Sequence, residues 1–255
     1  MDVTIIGAGN VAWHLAPALD NCGFAIKHVY NRTPVGAKQL IKRLYHSSQL
    51  NSLDFSALET RLFILCASDD AMEEIIDEIV LPENATLIHT SGSKPMELLE
   101  NAAPVSSGVL YPLQTFSKTR KVDFKEIPIL IESSDDETHD LLIKIGSSLS
   151  QTVTSTSSEK RKNIHLAAIF ANNFTNYMLS QSEQLLDEIN LDFDLLKPLI
   201  IETINKAMEL GPQNAQTGPA RRADYQVIDE HLQLLDEKKQ ELYQTISQQI
   251  LEHYS

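Results

Sequence analysis

Glycines near the start of the chain have the spacing of a turn that holds the phosphates of a dinucleotide. The β-branched run Val3–Ile6 leads directly into Gly7-Ala8-Gly9-Asn10-Val11-Ala12. Gly7 would allow the tight turn out of the strand, Gly9 would let the backbone approach a pyrophosphate, and Ala12 takes the third glycine position. The helix that follows would offer unpaired N–H groups and the positive end of its dipole. The residues expected to bind the cofactor here are Gly7, Gly9, Asn10 and Val11.

The second predicted strand, residues 24–30, ends in three residues that carry hydrogen-bond donors and a cation: Asn31, Arg32 and Thr33. An NAD site usually places Asp or Glu here to accept from the ribose 2′-hydroxyl, and that carboxylate would repel a 2′-phosphate. Arg32 would pair with a 2′-phosphate, and Thr33 would bond to it. The three residues favour NADP, and the alternative is an ordinary polar turn that caps a helix predicted over residues 35–44.

Two further polar clusters follow apolar strands. Residues 62–67 are apolar throughout, as expected for a strand buried on both faces, and Ser68-Asp69-Asp70 follows them. We expect Ala67 and Ser68 to contact the cofactor, and Asp70 to cap the helix predicted over residues 71–80. The strand predicted over residues 85–88 leads into His89-Thr90-Ser91-Gly92-Ser93, so the nicotinamide is expected near this second cluster.

A polar stripe is predicted on the helix over residues 164–189. The helix is apolar around most of its circumference, so we expect it to be buried. His165, Asn172 and Asn176 fall within roughly 40° of one another at 100° per residue, with Asn173 at the edge of the stripe. Core hydrogen bonds between helices would explain any single amide, whereas four polar groups on one face favour a wall that faces a substrate.

The order of these elements predicts the architecture. Strands alternate with helices up to residue 155, which indicates βαβ units and a mostly parallel sheet. The other strands are expected near Tyr45 and over residues 105–110, 127–131 and 152–154, and the other helices over 135–149, 193–210, 228–235 and 242–251. We therefore expect a dinucleotide-binding domain over residues 1–155 and an all-α substrate and dimerisation domain over residues 156–255.

The charge and composition of the chain exclude several classes of binding partner. The formal net charge is −14 and no Lys/Arg block builds a sustained basic face, so nucleic acid and anionic membranes are poor partners. No apolar run approaches the ~18 residues of a membrane span, and no leader precedes the first strand, so we expect a cytoplasmic protein. Cys22 and Cys66 lack metal-ligand spacing, so we expect two reduced thiols and no metal.

These motifs resemble a bacterial family of Rossmann-like, oxidoreductase-type proteins whose C-terminal half is a helical domain of unknown function. The matching motifs are the glycine turn, His89-Thr90-Ser91-Gly92, Tyr111-Pro112-Leu113-Gln114-Thr115-Phe116, His165-Leu166-Ala167-Ala168 with Asn172, Asn173 and Asn176, and Thr217-Gly218-Pro219 with Arg222 and Asp224. More distantly, the chain is similar to pyrroline-5-carboxylate reductase and the 6-phosphogluconate dehydrogenase group. The resemblance implies an α/β, Rossmann-type sheet followed by an all-α domain, a nicotinamide cofactor, and a homodimer.

Two departures qualify the resemblance. Ala223 stands where the family pattern has Gly in an Arg-Gly-Asp run. The hydroxyacid dehydrogenases carry a lysine acid four residues before an asparagine, but Ala168 and Ile169 occupy that spacing before Asn172 and Asn173. His165 is the best replacement for the missing acid, because an imidazole suits proton transfer near neutral pH.

The leading hypothesis is an NADP-dependent reductase or dehydrogenase that acts on a small carbonyl, imine or hydroxy compound. Ser91 and Asn173 would hold the reacting oxygen or nitrogen, and His165 would exchange the proton. The residues expected to contact the substrate are His89, Gly92, Asn172 and Asn176. Two alternatives stay open: a nucleotide-binding sensor or scaffold without catalysis, which the missing lysine favours, and an enzyme that uses a deazaflavin.

Overall fold

Strands alternate with helices in the first part of the chain, and helices alone make up the rest. The computed structural model describes residues 1–254. The strands are β1 (Asp2–Ile6), β2 (Ala25–Tyr30), β3 (Ser48–Leu50), β4 (Leu62–Leu65), β5 (Thr86–His89), β6 (Ser106–Pro112), β7 (Ile129–Ser133) and β8 (Val153–Ser155). The helices of this part are α1 (Asn10–Asn21), α2 (Pro34–Ile41), α3 (Asp69–Glu78) and α4 (Asp136–Leu149). The predicted strands are confirmed, although the third begins at Ser48 instead of near Tyr45.

The eight strands form one sheet in the order β3-β2-β1-β4-β5-β6-β7-β8. All neighbours run parallel except β6 and β7, which are antiparallel. Strands β2 and β3 lie on one side of β1, and β4 and the later strands lie on the other side. The strand order therefore has a topological switch point between β1 and β4. Ligands bind at the carboxyl ends of strands beside such a switch point. The predicted Rossmann-type, mostly parallel sheet is confirmed.

Side chains of the central strands alternate between two cores, one on each face of the sheet. In β4, Leu62 and Ile64 pack with α1, α2 and α4, whereas Phe63 and Leu65 pack with α3. Helices cover both faces of the sheet, so the residues on both faces of these strands are apolar. The strands therefore appear in the sequence as continuous apolar runs. Two-sided burial fixes the strand register and therefore the positions at which the strands end.

The region predicted as one helix over residues 164–189 has three parts. These are α5 (Ser158–Ala168), a π-helical segment (Ile169–Phe174) and α6 (Thr175–Asp187). The wider π turn changes the angle per residue, so the regular 100° spacing that defined the polar stripe does not hold across it. The Thr175 hydroxyl donates to the Phe170 carbonyl five residues earlier, at 3.3 Å, as the longer turn permits.

The prediction that this helical region is buried is wrong for the chain by itself. Leu166, Phe170, Phe174 and Tyr177 are 52%, 62%, 49% and 52% exposed. Arg161 is the one fully buried large side chain of α5. The apolar circumference therefore indicates surface that needs a partner, and does not indicate a core helix.

The chain forms two compact units, Met1–Tyr177 and the residues from Met178 onward. The second unit contains the rest of α6 and the helices α7 (Lys197–Leu210), α8 (Pro212–Ala215), α9 (Tyr225–Leu232) and α10 (Glu237–Tyr254). No strand follows Ser155 in the described residues, as predicted. The predicted domain boundary at residue 155 coincides with the end of the sheet and stays a prediction.

The loop that contains Ala223 shows why the family pattern has glycine there. Ala223 adopts the left-handed conformation, with φ 54° and ψ 38°, which glycine reaches without steric cost. Asp224 then caps α9 by accepting from the Val227 N–H. None of the helices in the described part of the chain combines the length and apolar character that crossing a bilayer requires.

Candidate functional site

The first glycine of the turn is required by the protein's own backbone. Gly7 adopts φ +106°, and a Cβ there would lie 2.6 Å from the carbonyl oxygen of Cys66 on the neighbouring strand end. The Gly7 N–H donates to the Tyr30 carbonyl at 2.8 Å, which ties the turn to β2. Any other residue at position 7 would therefore displace the turn from the sheet.

The second glycine has a different reason to be glycine. A Cβ on Gly9 would approach no atom of the chain more closely than the Cys66 carbonyl oxygen, at an ordinary 3.8 Å. Gly9 is also the N-cap of α1, and no side chain of the described residues caps that N-terminus. The missing side chain leaves space outside the protein, and the first-turn amides point into it. This is the arrangement that accommodates a pyrophosphate.

Asn31 supports the turn from the second strand. Its Oδ1 accepts from the Ala8 N–H, and its Nδ2 donates to the carbonyl and the hydroxyl of Thr33, all at 2.9 Å. The side chain therefore fixes both the glycine turn and the start of α2. Its amide is engaged within the protein, so Asn31 contributes to a cofactor site by positioning the residues around it.

A cavity of about 420 Å³ opens beside this turn. It brings together seven of the predicted cofactor-binding residues: Gly7, Gly9, Asn31, Arg32, Thr33, Ala67 and Ser68. Asn10 and Val11 are outside the lining and form the first turn of α1. The carboxylates of Glu74 and Glu78 also line the cavity, and Arg32 Nη1 lies 3.5 Å from Glu74 Oε2. Both partners of this ion pair are largely exposed, so Arg32 can exchange Glu74 for another anion.

Ser91 lies in a hydrogen-bond network within the protein, and its predicted catalytic role stays a prediction. Its hydroxyl donates to Asp69 Oδ1 at 2.7 Å and accepts from the N–H groups of Ser93 and Lys94 at 3.1 and 3.0 Å. A serine hydroxyl has one proton to donate and two lone pairs, and all three are used. These bonds of Ser91 shape the loop after β5.

Asp69 and Asp70 also differ from expectation. Helix α3 begins at Asp69 with Ser68 at the N-cap, and no side chain caps it. Asp70 therefore lies in the first turn and is not the predicted cap. Asp69 turns instead to the loop after β5, where its second oxygen accepts from the Ser93 hydroxyl.

His89 is fully buried, which argues against the predicted substrate contact. Its exposed fraction is 0%, its Nδ1 accepts from the Ser91 N–H at 3.1 Å, and its Nε2 has no hydrogen-bond partner in the described residues. Burial, and next the nearby Arg161 cation, lower the pKa of His89 to about 3. The ring is therefore neutral at physiological pH and acts as part of the core.

Gly92 holds open the space for a tyrosine and a histidine. The Tyr111 hydroxyl lies 2.9 Å from His165 Nδ1, and a Cβ on Gly92 would lie 2.7 Å from both that nitrogen and Tyr111 Cζ. Burial and the Asp69 carboxylate raise the pKa of Tyr111, so the phenol stays protonated and donates to Nδ1. The imidazole Nε2 is then left to carry the exchangeable proton.

A second cavity of about 210 Å³ lies at this pair. It is lined by His165, by Asn172 and Asn173 of the π-helical segment, and by residues 111 and 113–115 that follow β6. The Asn172 and Asn173 side chains are exposed and in contact with each other, at 3.4 Å from Nδ2 to Oδ1. Asn176 does not line this cavity. The structure thus joins His165, Asn172 and Asn173, and π-helical turns recur at functional sites.

Tyr111 is the site residue that the sequence analysis missed. It lies two residues beyond Val109, which pairs with His89 across β5 and β6, so it reaches the same carboxyl edge of the sheet as the glycine turn. The motif Tyr111–Phe116 contained this signal, since a residue with a polar group at that edge of the sheet is a candidate for a ligand site. In the described residues, no group of His, Cys, Asp and Glu side chains is arranged to hold a metal ion.

Comparison with known families and structures agrees with this architecture. Residues 1–115 match the model of a Rossmann-like domain, and residues 127–250 match a domain of unknown function, DUF2520. A protein from Bacteroides fragilis, provisionally named an NADP oxidoreductase, is 43% identical, with a TM-score of 0.91 and 98% of each chain covered. No curated protein matches the chain.

Two enzymes of low identity share the fold. A reductive aminase from Aspergillus terreus, solved with NADPH, is 14% identical, with a TM-score of 0.73 over 97% of this chain and 94% of its own. A pyrroline-5-carboxylate reductase from Coxiella burnetii is 14% identical, with a TM-score of 0.58 over 99% and 96%. The predicted similarity to the latter enzyme is confirmed at the level of fold.

The contact between Tyr111 and His165 predicts a fixed tautomer. In the wild type, ¹⁵N NMR of the imidazole is expected to show neutral His165 with its proton on Nε2, because the Tyr111 hydroxyl occupies Nδ1. The substitution Tyr111→Phe removes that donor and should give a mixture of both tautomers.

A second tyrosine–histidine pair provides the matched control. The Tyr243 hydroxyl lies 2.8 Å from His231 Nδ1, so Tyr243→Phe should change the spectrum of His231 and leave that of His165 unaltered. An unchanged His165 spectrum in Tyr111→Phe would show that the hydrogen bond does not set the tautomer.

Proposed function

Because this chain belongs to the family that joins a Rossmann-like domain to the DUF2520 domain, we propose that it is an NADP-dependent oxidoreductase. The substrate is a small carbonyl, imine or hydroxy compound. The observation that carries the proposal is the contrast between the two glycines of the turn. Gly7 is required by the neighbouring strand, whereas the space at Gly9 is left for a ligand in front of uncapped helix amides.

The residues around that turn fit a dinucleotide. The first-turn amides of α1 would hold the pyrophosphate, and Arg32 would exchange its ion pair with Glu74 for a 2′-phosphate. A nicotinamide cofactor, when bound, supplies or accepts the hydride. The side chains of the protein would position the substrate and transfer one proton.

His165 is proposed as the group that exchanges the proton: as Nε2 gives its proton to the substrate, Nδ1 takes the proton of the Tyr111 hydroxyl, which solvent then replaces, and the oxidative direction runs these transfers in reverse. The Tyr111 hydroxyl orients the ring by its bond to Nδ1. Asn172 and Asn173 lie beside His165 in the cavity, and an amide can both donate to and accept from a reacting oxygen or nitrogen. In this proposal Ser91 and His89 support the loop that faces the pair.

The cofactor assignment predicts a preference for NADP⁺ over NAD⁺. Isothermal titration calorimetry should show tighter binding of NADP⁺ to the wild type, and Arg32→Ala should reduce the preference by about tenfold, since a charge-assisted hydrogen bond is lost. The matched variant Glu74→Gln removes the competing carboxylate and should strengthen binding of NADP⁺. Equal affinities for both dinucleotides in the wild type would contradict the assignment.

The catalytic assignment predicts a selective loss of turnover. With NADPH and a panel of keto acids, ketones and imines, followed by absorbance, His165→Ala should lower kcat by about 10² to 10⁴ without changing cofactor affinity. His231→Ala, in the tyrosine–histidine pair of the second unit, is the control and should leave kcat unchanged. If His165→Ala keeps wild-type turnover, the proposed mechanism is wrong. Cofactor binding without turnover across the panel would favour the sensor alternative.

We also propose a homodimer formed through the helical region. Residues 166–210 contain thirteen of the twenty-one exposed large apolar side chains in the described residues. Such a concentration of apolar surface is unusual for a monomer and typical of an interface between subunits.

Light scattering at micromolar concentration should therefore give the mass of a dimer. Leu199→Glu, at a position 62% exposed on α7, should shift the population to monomer, because a carboxylate would be buried at the interface. Val105→Glu, at a position 68% exposed outside the helical region, should leave the dimer intact. A monomeric wild type would refute the proposal.

A further inference from the structure

A basic groove lies beside α1 in a chain that is acidic overall. It has a volume of about 480 Å³, and the cations Arg43, Lys118, Arg120 and Lys121 line it without any carboxylate. The formal net charge of the whole chain is −14. The groove therefore carries a local charge of opposite sign to that of the protein. We call these four cations, with Trp13, the basic groove.

Trp13 organises two of the cations. The Arg43 guanidinium lies 4.3 Å from the centre of the indole ring, and the Lys118 ammonium lies 5.1 Å from it. Arg43 also donates to the backbone carbonyl of Trp13. Cations within about 6 Å of an indole ring are attracted by its quadrupole, so the ring holds positive charge in the groove.

The loop over residues 118–121 carries Lys118, Arg120 and Lys121, and the residues just before it contact α1. His14 Nε2 donates to the Ser117 carbonyl at 2.8 Å, and the His14 ring stacks on Phe116 with 5.6 Å between ring centres. His14 is 8% exposed, so this attachment is part of the packed interior. Residues 118–121 therefore leave the core at a fixed point and pass along the groove.

No carboxylate within 4.0 Å pairs with any of the four cations in the described residues. Like charges brought together in this way repel one another unless an anion joins them. The basic groove is thus a concave surface with uncompensated positive charge, which is what recognition of an anion requires.

We propose that the basic groove binds a small molecule that carries several phosphate groups. Arginine and lysine are the side chains that bind phosphate oxygens, and several cations around one cavity match a ligand with several charges. A small ligand is favoured over a nucleic acid, because the acidic remainder of the surface repels any polyanion that extends beyond the groove. The basic groove shares no residue with the cavity at the glycine turn, so this inference is independent of the proposed function.

The chain offers a direct probe, because Trp13 is its only tryptophan. Inorganic tripolyphosphate, added to the full-length protein, should change the Trp13 emission in a saturable way and release or absorb heat in calorimetry. Arg120→Gln/Lys121→Gln should weaken binding by about tenfold or more, since two charges facing the polyanion are removed. Neither residue stacks on Trp13, so the probe itself is unaltered.

Matched controls locate the site. Arg221→Gln removes a cation that lies 4.6 Å from the centre of the Tyr254 ring in the second unit, and it should leave the affinity unchanged. Arg32→Ala, at the cavity beside the glycine turn, should also leave it unchanged, because that cavity shares no residue with the basic groove.

Four results would overturn the proposal: no saturable signal in either measurement, full affinity in the double variant, loss of tripolyphosphate binding in Arg32→Ala, or tighter groove-dependent binding of a short oligothymidylate. The last of these would identify a nucleic-acid surface. None of the measurements depends on turnover, so they are unaffected by failure of the proposed catalytic function.

Discussion

The site depends on one buried ion pair. Arg161 is fully buried on α5 and donates to Glu132 of β7 and, at 2.6 Å, to the Lys94 carbonyl of the loop after β5. Glu132 also accepts from the backbone and hydroxyl of Ser158 at the start of α5. A buried charge that loses its partner costs about 3–5 kcal/mol, so these groups must come together in one arrangement. The pair therefore fixes the first helix after the sheet against both the sheet and the loop after β5.

The geometry of the proposed site residues follows from this ion pair. His165 lies four residues after Arg161, about one helical turn further, so its ring is carried over the same loop. The loop is held from the other side by Ser91, whose hydroxyl bonds to Asp69. With both sides fixed, there is no room for a side chain at Gly92, and the imidazole meets Tyr111. The positive charge of Arg161 also helps to keep His89 neutral beneath the loop.

The sequence predicted the parts of the structure that local spacing determines. The glycine turn and the strands depend on residues close together in the chain, and these predictions agree with the structure. The roles of Ser91 and His89 depended on partners more than twenty residues away or on complete burial, which spacing does not reveal. The polar stripe assumed a regular α-helix, and the π-helical segment rearranges it so that His165, Asn172 and Asn173 share a cavity without Asn176.

The basic groove shows that the net charge of a chain does not predict how its charges are distributed on the folded surface. Net charge is a sum over the whole chain, and it excludes a basic face only if the cations are evenly spread. Here Arg43 follows α2, and residues 118–121 come from a loop far along the chain, so folding alone joins them around Trp13. An acidic surface around a basic concavity confines the attraction to ligands that fit inside. The excess of acidic residues, which argued against nucleic acid and anionic membranes, would therefore favour small anions in this groove.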